Sequence, residues 1–193
     1  VYQGLKSYGF DAEASEFARK SAGLVLNAWR NFQLSSESYH PLSGEAAGLR
    51  FHSLGSLFAL MAIEEYLDFT PWEGVRFGMI SPDEEGLASR ISIQGHHYDV
   101  RVSRKKIVLT EEDRPIVSID GGAVVRHFLY AENEVSFEMK AMAEREVRIT
   151  FLRKGKYQLL IDNVPKRVFK GSKVVFDVPD GNHAILLQLL ETL

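Results

Sequence analysis

Apolar positions divide the chain into two regimes. From Asp11 to about Phe32, the residues Ala14, Phe17, Ala18, Ser21, Leu24, Val25, Ala28, Trp29 and Phe32 recur at three- and four-residue steps, while Glu13, Glu16, Arg19, Lys20, Asn27 and Arg30 mostly fill the other face. That period predicts an amphipathic helix of about 20 residues, roughly 30 Å long. Asp11 reads as its N-cap, a carboxylate accepting from exposed amides at the helix start. Residues 1–10, V-Y-Q-G-L-K-S-Y-G-F, carry two glycines and read as a turn leading into it. Trp29 and Phe32 lie on the apolar stripe and are expected in the core. A second helical segment is predicted from about Arg50 to Leu67, and its middle, L-F-A-L-M-A-I, is apolar all the way round. A helix with no wet face is expected to be buried on every side. One helical partner and one sheet edge would not cover it, so the pattern calls for a larger helical assembly or another subunit.

After Asp68-Phe69-Thr70-Pro71-Trp72 the period changes from about four to two. Short alternating runs follow, among them Y-D-V-R-V, P-I-V-S-I, E-V-S-F-E-M, V-R-I-T-F-L, Y-Q-L-L-I and K-V-V-F-D-V, broken by Gly, Pro, Asp and Asn. Such alternation predicts antiparallel strands with one buried face. About ten of them point to a β-sandwich. Asp180-Gly181-Asn182 reads as a hairpin turn before the last strand. The expected class is therefore α+β, with an α-helical hairpin over residues 1–70 and an antiparallel β-sandwich over residues 71–193. Trp72 is expected to plug the junction.

Composition narrows the function classes. In 193 residues, 45% hydrophobic and 25% charged content is ordinary for a globular chain, and a net charge of -3 gives no basic footprint for nucleic acid or anionic lipid. The longest apolar run, Leu57 to Ile63, is too short to span a bilayer. There is no cysteine, which excludes disulfides and thiolate sites and fits a reducing, cytoplasmic setting. The chain begins at Val1 without a secretion signal, as a piece of a longer protein would. His96 and His97 are adjacent, so on a strand they point to opposite faces and do not share a metal; no ligand spacing for a metal and no cofactor fingerprint is present. Arg101, Arg104, Lys105 and Lys106 read as a solvated hairpin offset by Glu111, Glu112 and Asp113.

The stretch between the two predicted helices, E-S-Y-H-P-L-S-G-E from Glu37 to Glu45, combines titratable side chains with a Pro and a Gly that fix a bend. Polar loop residues held by rigid elements are where sites tend to be built. By itself, though, a loop carboxylate such as Glu37 is most often merely solvated. Glu45 equally suits the N-terminal region of the next helix, where negative charge is favoured.

Together with G-L-K-S-Y-G-F before a helix opening D-A-E-A, and F-H-S-L-G-S-L before the last helix, this stretch resembles the C-terminal end of the (α/α)6-barrel glycosidases, especially glycoside hydrolase family 63 and its trehalase-like relatives. The resemblance covers about a third of the chain (residues 4–67). It implies that the two helices are the last hairpin of a barrel whose earlier hairpins come from a preceding segment or another subunit. It also implies an inverting hydrolase of α-glucosidic or related bonds, needing no cofactor, with Glu37 as general base and the general acid outside these residues. Tyr39 would orient Glu37 or line the sugar pocket, His40 would hydrogen-bond a hydroxyl, and Glu45 and His52 would be further substrate ligands. His52 reads equally as a partly buried histidine satisfied by backbone. The chain departs from the family at His52-Ser53, where an aromatic residue, often Trp, normally follows the Phe; this bears on sugar specificity and prompts a further reading as an inactive relative. The rival from a different class is a non-catalytic β-sandwich binding module carrying a helical hairpin.

Overall fold

The computed structural model describes residues 1–40, 42–50, 55, 57–71, 74–82 and 85–193. The chain is α+β, and it divides into two compact units, Val1–Glu65 and Tyr66–Leu193. The division precedes the boundary at residues 70 and 71 read from the sequence, because the segment just before it is already a strand of the sheet.

The first unit opens with α1 (Tyr2–Ser7) and α2 (Asp11–Phe32). Residues 1–10 are thus not a simple turn. Phe10, not Asp11, holds the N-cap position; Asp11 is the first helical residue and is buried. Asp11 and Glu13 at the start and Arg30 near the end complement the helix dipole. The helix stops at Gln33, which turns left-handed at φ 54° and donates its N–H to the Trp29 carbonyl. Its buried face is narrow and small: Ala14 and Ala18 pack with Tyr2, joined by Leu5, Phe17 and Met61. Trp29 and Phe32, expected in the core, are 55% and 62% exposed.

The stretch expected as a loop folds as a two-stranded antiparallel hairpin, β1 (Ser36–Tyr39) with β2 (Ala46–Arg50). The expected second helix is correspondingly shorter. Leu49 and Arg50 belong to β2, Leu67 to the next strand, and the described helical turns are a 3-10 segment (Leu57–Ala59) and α3 (Leu60–Glu64). Far from being buried all round, neither contains a buried residue, and Leu57, Leu60 and Ile63 are about half exposed.

The second unit is antiparallel sheet. Its strands are β3 (Leu67–Thr70), β4 (Gly74–Phe77), β5 (Gly86–Ile93), β6 (His96–Val102), β7 (Lys106–Glu111), β8 (Arg114–Asp120), β9 (Ala123–Tyr130), β10 (Glu134–Ala141), β11 (Arg145–Ile161), β12 (Val164–Val178) and β13 (Gly181–Thr192). They hydrogen-bond in the order β3-β4-β9-β10-β13-β11-β8-β7-β6-β5, with β12 on the other flank of β11. The two runs V-R-I-T-F-L and Y-Q-L-L-I, expected as separate strands, are one 17-residue strand. Its first half pairs with β8 and its second half with β13. A register break between Thr150 and Gly155 marks the corner, so the sheet folds over itself there, as strands do when they pass between packed sheets. Side chains from both arms meet in one core. Phe77 of β4 stands edge-on to Phe128 of β9 with centroids 5.3 Å apart, and Phe151 stacks on Tyr157 across the corner of β11 at 3.7 Å.

Turn chemistry explains the connections. Asp162 and Asn163 adopt φ 54° and 63° between the paired residues Ile161 and Val164, the double positive φ that a tight two-residue hairpin requires. The Asp180-Gly181-Asn182 turn, expected as a hairpin, is not one: β12 pairs with β11 alone among the described residues, whereas β13 pairs with β10 and β11. Among the described residues no helix is long and apolar enough to cross a membrane.

Candidate functional site

The structure gathers Glu37, Tyr39, His40 and Glu45 on the β1–β2 hairpin. Its turn is closed by the backbone: the His40 N–H donates to the Glu45 carbonyl at 2.8 Å and the Gly44 N–H to the His40 carbonyl at 2.9 Å. The His40 ring is built into the turn, its Nδ1 taking the Ser43 N–H at 3.1 Å with the Ser43 hydroxyl also at 3.1 Å. That hydroxyl donates in turn to Glu45 Oε2 at 3.2 Å. His40 and Glu45 are therefore linked through Ser43. Glu45 leads into a strand, so the alternative of a charge at a helix N-terminus is excluded.

Glu37 occupies the most distinctive backbone position. The ladder pairs Ser36 with Arg50 and Ser38 with Ala47, so Gly48 and Leu49 together face Glu37 across the hairpin. This is a β-bulge, and Gly48 at φ 74° supplies the left-handed residue that such bulges need. The bulge leaves the Leu49 N–H without a ladder partner, and Glu37 Oε2 accepts it at 3.2 Å. A Cβ at position 48 would lie 2.9 Å from that oxygen, so a side chain there would push the carboxylate off its present position. Glu37 is otherwise exposed. The alternation of β1 puts Tyr39 on the same face, and the Tyr39 hydroxyl is buried without a hydrogen-bond partner among the described residues. Bulges re-aim side chains and recur next to active sites. Here one carboxylate oxygen is fixed by the backbone, which sets the direction of the other.

His52, Ser53, Pro41 and Trp72 lie outside the described residues. The other residues singled out along the sequence resolve as ordinary chemistry. His96 pairs with Glu111 at 3.4 Å and His97 with Glu112 at 3.3 Å, separate partners for neighbouring rings. Arg101 pairs with Glu85 at 3.1 Å. Glu111–Asp113 do not offset the basic turn as expected, because β7 separates the two clusters and places them at opposite ends of the strand. No group of three or more metal-ligating side chains occurs among the described residues.

Three features have little or no signature in the sequence. The first is the bulge itself, whose only signal is a glycine inside the short run A-A-G-L-R. The second is a buried polar knot in the helical unit. Glu65 accepts the Tyr2 hydroxyl at 2.6 Å and the Ser15 hydroxyl, and the buried Lys6 amine lies 3.4 Å from that same Tyr2 oxygen. The third is in the sheet unit, where His183 Nδ1 sits 2.7 Å from Asp162 Oδ2 and its Nε2 sits 3.1 Å from the Asp180 carbonyl. Both acceptors favour the doubly protonated ring, so the His183 pKa is raised, while the bond from His183 holds Asp162 below the usual carboxylate range. This pair borders a groove of about 460 Å³ on the β11–β12 ribbon, whose lining includes none of the hairpin residues.

No family model, curated protein or solved structure matches this chain.

Proposed function

We propose that this chain is the C-terminal part of an inverting glycoside hydrolase acting on α-glucosidic or related bonds, with Glu37 as the general base. Inversion requires two carboxyl groups about 6.5–9.5 Å apart on opposite faces of the sugar, one protonating the leaving oxygen and the other deprotonating the attacking water. Glu37 fills the second role; the acid and most of the pocket come from a barrel segment outside these residues. The observation that carries the reading is the carriage of Glu37. The E-x-Y-x-P-x-S-G string puts this carboxylate opposite a glycine bulge, exposed, with Oε2 tied to the Leu49 N–H and Oε1 left to act. Tyr39 lines the same face, and the His40–Ser43–Glu45 chain stiffens the turn and presents groups to sugar hydroxyls.

The test is to express the complete reading frame with and without Glu37→Gln and to assay both on a panel of α-glucosides, following product anomer by NMR. A fall in kcat of about 10²–10⁴ is expected. Full activity in the variant removes Glu37 from the mechanism, and a retained anomer removes inversion. The 193 residues alone are expected to show no turnover. The second reading, a non-catalytic binding module, draws on the groove and the long free strand edge of the sheet unit, and gains if the complete protein is inactive on every α-glucoside.

A further inference from the structure

Among the described residues, three strands of the sheet unit are paired on one flank only: β3, β5 and β12. A free edge is a template for another chain, and proteins normally blunt it by shortness, by bulges, or by proline and lysine on the strand. β3 has four residues. β5 is broken by a register shift between Ala88 and Ile91, with Arg90 at φ 56°. β12 also carries Pro165 and two register breaks in its ladder with β11, but it runs for 15 residues, and the ladder is regular over Arg167–Gly171 and again over Lys173–Val178. Along it Val164, Val168 and Val175 are exposed. Beside it lies the groove of about 460 Å³, floored by Leu159 and Ile161 and walled by Phe169, with the Arg167 guanidinium 5.0 Å from the Phe169 ring centre.

Charge selects the occupant. β12 carries Lys166, Arg167, Lys170 and Lys173 against a single carboxylate, Asp177. A second copy of β12 laid on this edge would set cations against cations. An acidic strand would meet the opposite sign, and its alternate side chains would point into an apolar groove. We propose that β12 is a strand-addition edge that accepts an extended segment of another protein in which acidic and apolar residues alternate. The added strand hydrogen-bonds to the free backbone flank of β12, its apolar side chains sit over Leu159, Ile161 and Phe169, and its carboxylates face Lys170 and Lys173. The inference is independent of the role of Glu37.

The probe is a fluorescein-labelled peptide of alternating Glu and Val, titrated with the 193-residue chain by fluorescence anisotropy. Saturable binding is expected, weakened about tenfold in the double variant Lys170→Glu, Lys173→Glu. Both lysines are exposed, so circular dichroism of the variant should match the parent. A peptide of equal charge with Pro in place of Val cannot donate to a ladder at those positions and is expected not to bind. Hydrogen exchange of the parent should slow at β12 amides when the Glu-Val peptide is added. Equal binding of the Pro peptide overturns strand addition in favour of a simple charged patch. Absence of binding, or a concentration-dependent dimer that the double variant dissociates, overturns the acidic partner altogether.

Discussion

On β10, Val135, Phe137, Met139 and Ala141 alternate with polar residues and all four are buried; on α2 the apolar stripe divides, with Ala14, Ala18 and Ala28 buried while Trp29 and Phe32 remain in water. Both patterns are regular, but they end differently. The sheet unit folds over at the corner of β11 and brings its two inner faces together, so each alternating strand finds an opposing surface. Among the described residues the helical unit lays α1, a 3-10 segment, α3 and the edge of β1 against its 22-residue helix. Its core is correspondingly slight, small alanines around Tyr2, and Leu57, Leu60 and Ile63 join the exposed set. Periodicity announces that a face is to be buried, without naming what buries it.

The largest effect that separates the two units is a pair of truncations. Phe77→Ala removes a fully buried ring that packs edge-on against Phe128. It is expected to cost the sheet unit about 3–5 kcal/mol, the range for aromatic truncation in a packed core. Trp29→Ala is expected to change stability by no more than about 0.5 kcal/mol, as exposed positions do. Urea unfolding followed by circular dichroism measures both. Comparable losses at the two sites would break the contrast and show that Trp29 is covered within the chain. Leu60→Lys extends the test: it should leave stability unchanged and reduce binding of an apolar dye.

A smaller effect is expected where the helical unit does bury something, at the knot around Glu65. Its carboxylate serves two hydroxyls, Tyr2 and Ser15, which link α1 and α2 to the end of α3. Glu65→Ala strands both donors and leaves the buried Lys6 amine without that counter-charge. Unpaired buried polar groups cost about 1–3 kcal/mol. Hydrogen exchange of α2 amides near Ser15 should accelerate by the corresponding factor, while exchange in β11 should not move. Unchanged exchange on α2 would mean that the knot is incidental to how the unit holds together.

What is legible in the chain and what is not follows from the range of the interactions involved. The α+β division, α2 and most strands of the sheet are local properties of period, and they stand where the spacing puts them. The β11 corner reads as two strands because Arg153-Lys154-Gly155 interrupts the apolar alternation, although the backbone continues through it. Asp180-Gly181-Asn182 reads as a hairpin because turn chemistry is local while pairing is not. Asp162-Asn163, which does close a hairpin, offers no glycine. At the candidate site the string Glu37–Glu45 is identifiable as a stretch. Its strand geometry is not, since it depends on Gly48 and Leu49 across the ladder. Lys6 and Glu65 are invisible for the same reason: they come to one tyrosine oxygen only once the helices have packed.

The subtlest expected difference between the units is a pH dependence confined to the sheet. His183 clamps the turns that precede and follow β12, donating from Nδ1 to Asp162 and from Nε2 to the Asp180 carbonyl when doubly protonated. Its pKa in the folded chain is raised from 6.5. That contribution is complete below the unfolded value and is lost as pH rises through the folded one. The Asp162 carboxyl is lowered from 3.8, so its share is complete above that value and is lost as pH falls through the folded one. The clamp therefore acts in full between 3.8 and 6.5, and the sheet unit should soften as pH rises above that window. The pair is partly exposed, so the drop in Tm between neutral and mildly alkaline pH is expected to be about 1–3 °C. His183→Asn should abolish the slope and leave the helical unit untouched. A parent protein whose sheet becomes more stable as pH rises past that window, or a variant that keeps the same slope, would assign the dependence to other groups and leave His183 as an ordinary turn residue.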